Sequence, residues 1–185
     1  MTTETTFEIK DQQFELGNLE LSDVEDLIEV AKQWVRNRFT GEIEEEELAE
    51  IERRMRNCPQ NGYRYFVIRD NERHAIGCCA IREPEEAMQK YKSAPDSKTS
   101  ELVNVFLDNE HRGFGLGYRL VNYMFEKAKE LGQEEVIWNS GPRYKNSAWD
   151  FYNKLVGKPF TTAPAFYGIA PDGTPNDAPV WRKRL

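Results

Sequence analysis

The sequence contains few cysteines and few histidines. Its 185 residues include three cysteines, Cys58, Cys78 and Cys79, and two histidines, His74 and His111. An odd number of cysteines without metal-ligand spacing argues against a disulfide framework and against a zinc site. We therefore expect neither disulfide bonds nor a bound metal ion.

The sequence also lacks long apolar runs and an excess of positive charge. No segment approaches the roughly 18 apolar residues that a membrane-spanning helix needs, and the segment MTTETTFEIKDQQ has no basic region followed by an apolar one. The net charge is −7, from 25 basic and 32 acidic residues, which argues against nucleic acid and mildly favours an amine-bearing substrate. These absences predict a cytoplasmic protein without membrane or nucleic-acid partners. The chain has no repeat or linker, so we expect a single domain over residues 1–185.

The central feature of the sequence is a strand, a glycine turn and a helix within residues 101–131. Glu101 to Leu107 is mostly apolar on both faces, as in an interior strand covered on both sides. Leu116 to Leu131 carries apolar residues at helical spacing, and Gly132 is placed to end that helix. The turn between the two elements is rich in glycine.

The turn consists of Arg112, Gly113, Phe114, Gly115, Leu116 and Gly117. Glycines directly before a helix let the backbone approach a ligand, with N–H groups and the positive end of the helix dipole directed at it. The turn therefore indicates a pyrophosphate site; the alternative is a turn whose glycines serve only tight packing. Tyr118 and Arg119 follow the last glycine, so the spacing fits neither a G-x-G-x-x-G fingerprint nor a Walker loop.

The remaining pattern predicts alternating strands and helices. The predicted strands are Phe14–Leu21, Tyr63–Arg69, Ala75–Ile81, Glu135–Asn139, Ala165–Ile169 and Val180–Leu185. The second and third of these flank a short polar turn and form a predicted antiparallel hairpin. Together with the helices, this alternation predicts an α/β or α+β sheet covered on both faces.

Capping signals mark where three further helices begin. Ser22 with Glu25 forms a predicted capping box, and Ser147 is the predicted cap of a helix that ends at Gly157. A helix is also predicted over Glu44–Arg56, with acidic residues at its positive end and basic residues at its negative end. The polar segment between Pro84 and Thr99 is long for a loop, and a helical turn is predicted after Pro84.

Two motifs resemble those of the GCN5-related N-acetyltransferases, the GNAT family. They consist of Arg112, Gly115 and Gly117 in the turn, similar to the acetyl-CoA signature, and of Ala148, Phe151, Tyr152 and Gly157, similar to the A-x-x-F-Y-x-x-x-x-G helix. The order of elements is similar to these enzymes over nearly the whole chain. The resemblance implies a GNAT fold, with a mixed central sheet of about six to seven strands covered by helices on both faces.

The resemblance also implies which residues bind acetyl-CoA. In the family, the pantetheine arm pairs with backbone at the end of the central strand, which here is Val105, Phe106 and Leu107. The pyrophosphate is received by backbone N–H groups of the turn, at Arg112, Gly113, Phe114, Gly115, Leu116, Gly117 and Tyr118. Many members carry Asn where Lys145 stands. Either Asn146, one position later, makes the CoA contact, or Lys145 offers its charge to a phosphate.

The same resemblance suggests catalytic residues. Tyr152 matches the residue whose hydroxyl often returns a proton to the leaving CoA thiolate; the alternative is a core aromatic that shares a face with Phe151 and Leu155. A tyrosine pKa of about 10 suits a thiolate leaving group with a pKa of about 8 to 9. Glu101 stands where some members place a catalytic base, and the alternative is an exposed glutamate at a strand edge. His111 is a lesser candidate, expected to face solvent.

These motifs predict an acetyl-CoA-dependent N-acetyltransferase that transfers the acetyl group directly to a primary amine. A covalent cysteine intermediate is disfavoured, because Cys78 and Cys79 lie on an apolar strand without a nearby basic residue to lower their pKa. The alternative is a non-catalytic module that senses acyl-CoA and needs neither Tyr152 nor Glu101. The glycine spacing opposes a nucleotide-binding protein of another fold. The acceptor stays open among antibiotics, polyamines, amino acids and protein amines, and a homodimer is a possible assembly.

Overall fold

The computed structural model describes residues 4–185. Residues 1–3 lie outside the described part. They belong to the segment for which the sequence predicts no targeting signal. The strands are β1 (Thr5–Ile9), β2 (Gln12–Asn18), β3 (Arg64–Arg69), β4 (Ala75–Arg82), β5 (Thr99–Leu107), β6 (Glu135–Asn139), β7 (Thr161–Ala163) and β8 (Ala178–Arg184). The helices are α1 (Val24–Lys32), α2 (Glu45–Arg56), α3 (Glu86–Gln89), α4 (Leu116–Glu130) and α5 (Trp149–Val156).

The strands form one mixed sheet, which confirms the predicted fold class. Its order is β1-β2-β3-β4-β5-β6-β8-β7, and its eight strands exceed the number that the resemblance implied. β5 and β6 are parallel, whereas β6 pairs with β8 in the antiparallel direction. Among the described residues, no helix is long and apolar enough to cross a membrane.

The chain divides into two compact units. The first contains the described residues up to Glu83 and Leu102–Lys127, and the second contains Pro84–Glu101 and Ala128–Leu185. β5 thus begins in the second unit and ends in the first. The single domain over residues 1–185 stays a prediction.

The first unit opens with an antiparallel hairpin of β1 and β2 that the sequence analysis missed. Only one strand, Phe14–Leu21, was predicted here, whereas β1 pairs with β2 from Thr5 opposite Leu16 to Ile9 opposite Gln12. The connecting residues Lys10 and Asp11 have φ angles of 49° and 65°. Positive φ at both positions suits a two-residue hairpin turn, because its twist matches that of the strands. Neither residue is glycine, so the usual sequence signal is absent.

α1 is fixed on the core of the first unit along one apolar face. Val24, Leu27 and Ala31 are fully buried, as is Val35 beyond the end of the helix. The predicted capping box at Ser22 and Glu25 is wrong by two residues. The backbone N–H of Glu20 donates to Asp23 Oδ2 at 2.7 Å, and a 3₁₀ turn over Leu21–Asp23 precedes α1. Asp23 is the side chain that reaches back to this N–H, so the box begins at Glu20.

A buried arginine ties the start of α1 to the sheet. Arg69 of β3 is 1% exposed, and its guanidinium donates to both carboxylate oxygens of Asp23, at 2.8 and 2.6 Å. It also donates to Glu15 Oε1 at 2.9 Å. Removing one partner of a buried ion pair leaves the other charge buried without a partner, at a cost of about 3–5 kcal/mol. The network therefore holds α1 in a defined position against β2 and β3.

The second unit is built on β6, β8 and β7, with a core that includes Met88, Ile137 and Val180. The predicted strand over Ala165–Ile169 is wrong. Those residues form turns with one isolated bridge from Ile169, and the short strand β7 lies earlier in the chain. Ala165 has a φ of 46°, and its N–H donates to the Asp177 side chain at 2.7 Å. That conformation interrupts a strand.

The other predicted elements are largely confirmed. β3 and β4 form the expected hairpin, β6 has the predicted bounds, α2 begins one residue later than predicted, and α3 is the helical turn after Pro84. Ser147 is not the cap of α5. Ala148 occupies the N-cap position without a side-chain cap, while Ser147 Oγ donates to the carbonyl of Tyr144 at 3.4 Å.

Candidate active site

The glycine turn connects β5 to α4 within the first unit. Gly113 and Gly115 have φ angles of 84° and 76°, in the left-handed region where a side chain would be strained. A Cβ atom at either position would meet nothing within 4 Å. Glycine is therefore required by the backbone conformation and not by crowding, and the space beside both residues is open.

The turn leads into the positive end of α4. The N–H of Arg119 donates to the carbonyl of Gly115 at 3.2 Å, which is the first helical hydrogen bond. The N–H groups of Leu116 and Gly117 come before it, where a helix offers no internal acceptor. α4 has no acidic residue in its first turn, whereas α1, α2 and α5 each have one or more there. The chain itself does not compensate this helix dipole, and an anion would.

Three exposed cations lie around the turn, each against an aromatic ring. The guanidinium carbon of Arg112 lies 5.2 Å from the ring centre of Trp34, and that of Arg119 lies 4.5 Å from the ring of Phe7. The third contact joins Lys10 Nζ to the ring of Phe114, at 4.7 Å. Within residues 4–185, no carboxylate forms an ion pair with these three cations. Positive charge thus accumulates at the predicted pyrophosphate site.

The end of β5 is already partly engaged by the chain. The carbonyl oxygen of Leu107 accepts a hydrogen bond from Trp34 Nε1 at 2.9 Å. The side chain of Phe106 is buried in the core, whereas Val105 is half-buried. A Cβ on Gly77 of β4 would lie 2.8 Å from the carbonyl oxygen of Phe106, so glycine allows this close packing. Of the three predicted pantetheine positions, Leu107 thus has a carbonyl that already accepts one side-chain hydrogen bond.

Glu101 belongs to the second unit and is buried. Its residue exposure is 3%, so the alternative of an exposed glutamate at a strand edge is wrong. Its Oε2 accepts a hydrogen bond from the backbone N–H of Glu85 at 3.0 Å. The carboxylate is therefore held in one place. Whether it acts as a base stays a prediction.

Tyr152, also in the second unit, lies in an aromatic cluster. Its exposure is 6%, and its ring centre lies 5.5 Å from that of Trp138 and 5.2 Å from those of Trp181 and Phe151. This packing fits the alternative of a core aromatic. It also fixes the hydroxyl group, so the role as proton donor stays a prediction.

Lys145 and Asn146 lie in the turn before α5, and both are exposed. Lys145 Nζ lies 5.8 Å from the ring centre of Trp149. The two alternatives for the CoA contact both stay predictions.

His111 and the cysteines have surroundings that bear on their chemistry. His111 is half-buried instead of facing solvent, and its Nδ1 lies 2.6 Å from Asp108 Oδ2. Burial raises the pKa of the Cys78 and Cys79 thiols well above the usual value. Neutral, buried thiols are poor nucleophiles, which supports direct transfer. In the described part of the chain, no group of three or more His, Cys, Asp or Glu residues is arranged to hold a metal ion.

The sequence matches a known protein family over most of its length. Residues 28–157 match the family described as the acetyltransferase (GNAT) family. The chain belongs to the GNAT family. It is an acyltransferase, as the motifs predicted. No curated protein matches the chain at a significant level.

Solved structures of acetyltransferases share the fold at low sequence identity. The ribosomal-protein-S5-alanine acetyltransferase from Vibrio fischeri is 17% identical with a TM-score of 0.64, over 97% of this chain and 96% of that one. An N-acetyltransferase from Staphylococcus aureus Mu50 is 15% identical with a TM-score of 0.65, over 92% and 98%. A variant of the spermidine N-acetyltransferase from Vibrio cholerae is 16% identical with a TM-score of 0.65, over 92% and 93%. At these identities the likeness shows the fold alone.

Proposed function

We propose that this GNAT protein is an acetyl-CoA-dependent N-acetyltransferase that transfers the acetyl group directly to a primary amine. The observation that carries the proposal is the glycine turn. It combines two left-handed glycines, a helix start without acidic residues and three exposed cations. The CoA pyrophosphate carries the multiple negative charge that such an arrangement binds. The whole chain, residues 1–185, serves as one catalytic domain in this proposal.

The cofactor would run along the end of β5 and over the turn. Its pantetheine arm pairs with backbone at Val105, Phe106 and Leu107, and the Leu107 carbonyl, which accepts from Trp34, keeps a second lone pair. Its pyrophosphate binds the N–H groups of residues 112–118. Asn146 is the proposed CoA contact before α5. The support for these positions is the family resemblance together with the geometry of the turn.

The reaction needs one base and one acid. The neutral amine attacks the thioester carbon, so that the C–N bond forms and the C–S bond breaks. Before the attack, Glu101 takes a proton from the ammonium form of the amine, directly or through a water molecule. After the attack, Tyr152 gives a proton to the CoA thiolate and takes up the extra proton of the amide nitrogen. The products are the acetylated amine and CoA with a free thiol. Buried Cys78 and Cys79, with raised pKa values, support this direct route over an acetyl-cysteine intermediate.

The acceptor is proposed only by its chemical class. The names of the fold relatives include a spermidine and a ribosomal-protein acetyltransferase, so small and protein acceptors both fit this fold. The net charge of −7 favours a cationic amine over an anionic one. Cytoplasmic location and a homodimer stay predictions of the sequence.

The first test is acetyl-CoA binding by calorimetry, followed by thiol release from acetyl-CoA with a panel of amines. We expect Gly115→Asp to weaken acetyl-CoA binding by more than about 100-fold, because a like charge would stand where phosphate must lie. The matched control is Gly62→Asp, since Gly62 has a φ of 82° and equally open surroundings. Unchanged acetyl-CoA affinity in a folded Gly115→Asp protein would contradict the proposal. Binding without turnover of any amine would indicate the sensing module instead.

A further inference from the structure

Two consecutive side chains after α1 reach the junction between β5 and the glycine turn. The side-chain amide of Gln33 makes two hydrogen bonds, both at 2.9 Å. Its Nε2 donates to Asp108 Oδ1, and its Oε1 accepts from the backbone N–H of Asn109. Trp34 Nε1 donates to the carbonyl of Leu107, also at 2.9 Å. Three hydrogen bonds therefore connect residues that are 73 to 76 positions apart in the sequence.

Trp34 makes a second contact with the turn through its ring face. The guanidinium of Arg112, the first residue of the glycine turn, lies over this ring at 5.2 Å. A cation over an indole ring is attracted by the negative ring face. Trp34 thus holds the junction at both ends, at the carbonyl of Leu107 and at the side chain of Arg112.

The anchoring side chains lie on a segment that is packed into the core of the first unit. Ala31 before them and Val35 after them are fully buried, and Gln33 and Trp34 are half-buried between these two. On the other side, the N–H of Asp108 donates to the carbonyl of Ile76 in β4 at 2.8 Å. The junction is therefore held between α1 and β4.

Asp108 is the centre of this anchor. One carboxylate oxygen accepts from Gln33, and the other lies 2.6 Å from His111 Nδ1. Burial alone would raise the pKa of Asp108, but hydrogen bonds from Gln33 and His111 outweigh it and lower this pKa. An ionised Asp108 is a strong acceptor, so the Gln33 contact is charge-assisted.

We propose that Gln33 and Trp34 are positioning residues for acetyl-CoA, a role that rests on the proposed function. By holding residues 107–112, they keep the following amide groups pointed at the pyrophosphate before it binds. Connecting segments are usually mobile, and ordering such a segment during binding lowers affinity. Neither residue touches the reacting atoms in this role, and neither carried a functional signal in the sequence.

This role differs measurably from a purely structural one. Loss of general packing lowers the unfolding temperature and affects both substrates alike. Loss of turn positioning weakens acetyl-CoA binding selectively, because the amine does not contact the turn in the proposed function. The KM for acetyl-CoA should therefore rise while the KM for the amine and the unfolding temperature change little.

The test compares Trp34→Phe and Gln33→Ala with the unmodified protein. Trp34→Phe loses the hydrogen bond to Leu107 and keeps a smaller ring under Arg112 and against the core, so we expect about three- to tenfold weaker acetyl-CoA binding by calorimetry. Gln33→Ala loses two hydrogen bonds, and we expect about ten- to thirtyfold weaker binding. The measurements are the Kd of acetyl-CoA, both KM values and the unfolding temperature.

The matched control is Asn61→Ala in the same unit. Asn61 also donates once, to the carbonyl of Arg54 at 2.9 Å, and accepts once, from the N–H of Tyr63 at 3.2 Å, but has no partner in the turn. The inference is overturned if both variants bind acetyl-CoA like the control, or if both KM values rise together. If the unmodified protein does not bind acetyl-CoA, the proposed function is wrong, and this inference, which rests on it, is wrong as well.

Discussion

Glu101 is a buried carboxylate whose position is fixed by the N–H of Glu85. If Glu101 is the base, Glu101→Gln should lower kcat/KM about 10² to 10⁴-fold at neutral pH, because the amide cannot take the amine proton. Glutamine keeps an oxygen for the Glu85 N–H, so the fold should persist. The loss should shrink at high pH, where more of the amine is already neutral. The measurement is the pH profile of kcat/KM.

The control for this change is Glu134→Gln. Glu134 also accepts a backbone N–H, from Lys98 at 3.3 Å, but is not a candidate base. A wild-type pH profile in the Glu101→Gln enzyme would leave a water-relayed or substrate-assisted route as the mechanism and remove Glu101 from it.

Tyr152 offers a second change that removes a single functional group. Tyr152→Phe should lower kcat by roughly 10²-fold or more with little change in the Kd of acetyl-CoA, because the lost proton transfer exists mainly in the transition state. Phenylalanine keeps the ring contacts with Trp138 and Trp181, so the fold should persist. Stopped assays of thiol release at saturating substrate measure kcat directly.

The matched control for this second change is Tyr123→Phe in α4, since Tyr123 has the same 6% exposure. If Tyr152→Phe keeps kcat within a few-fold of the unmodified enzyme, as the control should, then Tyr152 is a core aromatic and another group protonates the thiolate.

At the scale of elements, the sequence predicted correctly those strands and helices whose own residues carry both the periodicity and the turn signals. The glycine turn with α4, the hairpin of β3 and β4, and β6 each have the periodicity and the turn residues that define them. The patterns failed where backbone conformation did not follow residue type. The turn at Lys10 and Asp11 adopts positive φ without glycine, and Ala165 does the same inside an apolar segment that looks like a strand.

In the candidate site, too, residues with a local sequence signal were predicted, whereas residues brought there by tertiary structure were not. The motif predicted the turn residues, because glycine spacing before a helix is a local signal. It could not predict Lys10 or Phe7, which lie beside the turn only because the missed hairpin brings them there. Gln33 and Trp34 were equally hidden, since their partners lie 73 or more residues away. These parts of the environment of the turn are therefore a product of tertiary structure.

At the scale of the whole molecule, each unit contains a carboxylate that the fold stabilises in its charged form. In the first unit this is Asp108, whose pKa is lowered as described above. In the second unit it is Glu135, which accepts hydrogen bonds from Ser93 N–H at 2.9 Å and Thr99 Oγ1 at 2.8 Å. Burial alone would raise the pKa of Glu135, but these hydrogen bonds outweigh it and lower the pKa.

Lowered carboxylate pKa values fix the direction of the pH dependence of stability. A group whose pKa is lower in the folded than in the unfolded chain contributes stability above its unfolded pKa, about 4 for Asp and Glu. That contribution is lost as the pH falls through the folded pKa, because protonation then favours the unfolded chain. We therefore expect the free energy of unfolding to be nearly constant from about pH 7 to 5 and to fall below about pH 4.

Glu135→Gln should reduce this acid sensitivity. Glutamine cannot ionise, so the variant should be less stable at pH 7 by about 1–3 kcal/mol, through weaker hydrogen bonds with Ser93 and Thr99, yet should lose less stability between pH 7 and 3. Denaturant unfolding of both proteins across this range measures the two slopes. Glu8→Gln, at an exposed carboxylate of β1, is the control and should leave both the stability and the slope as they are. Equal slopes for the Glu135→Gln and unmodified proteins would show that Glu135 is no better stabilised as an anion in the folded chain than in the unfolded one.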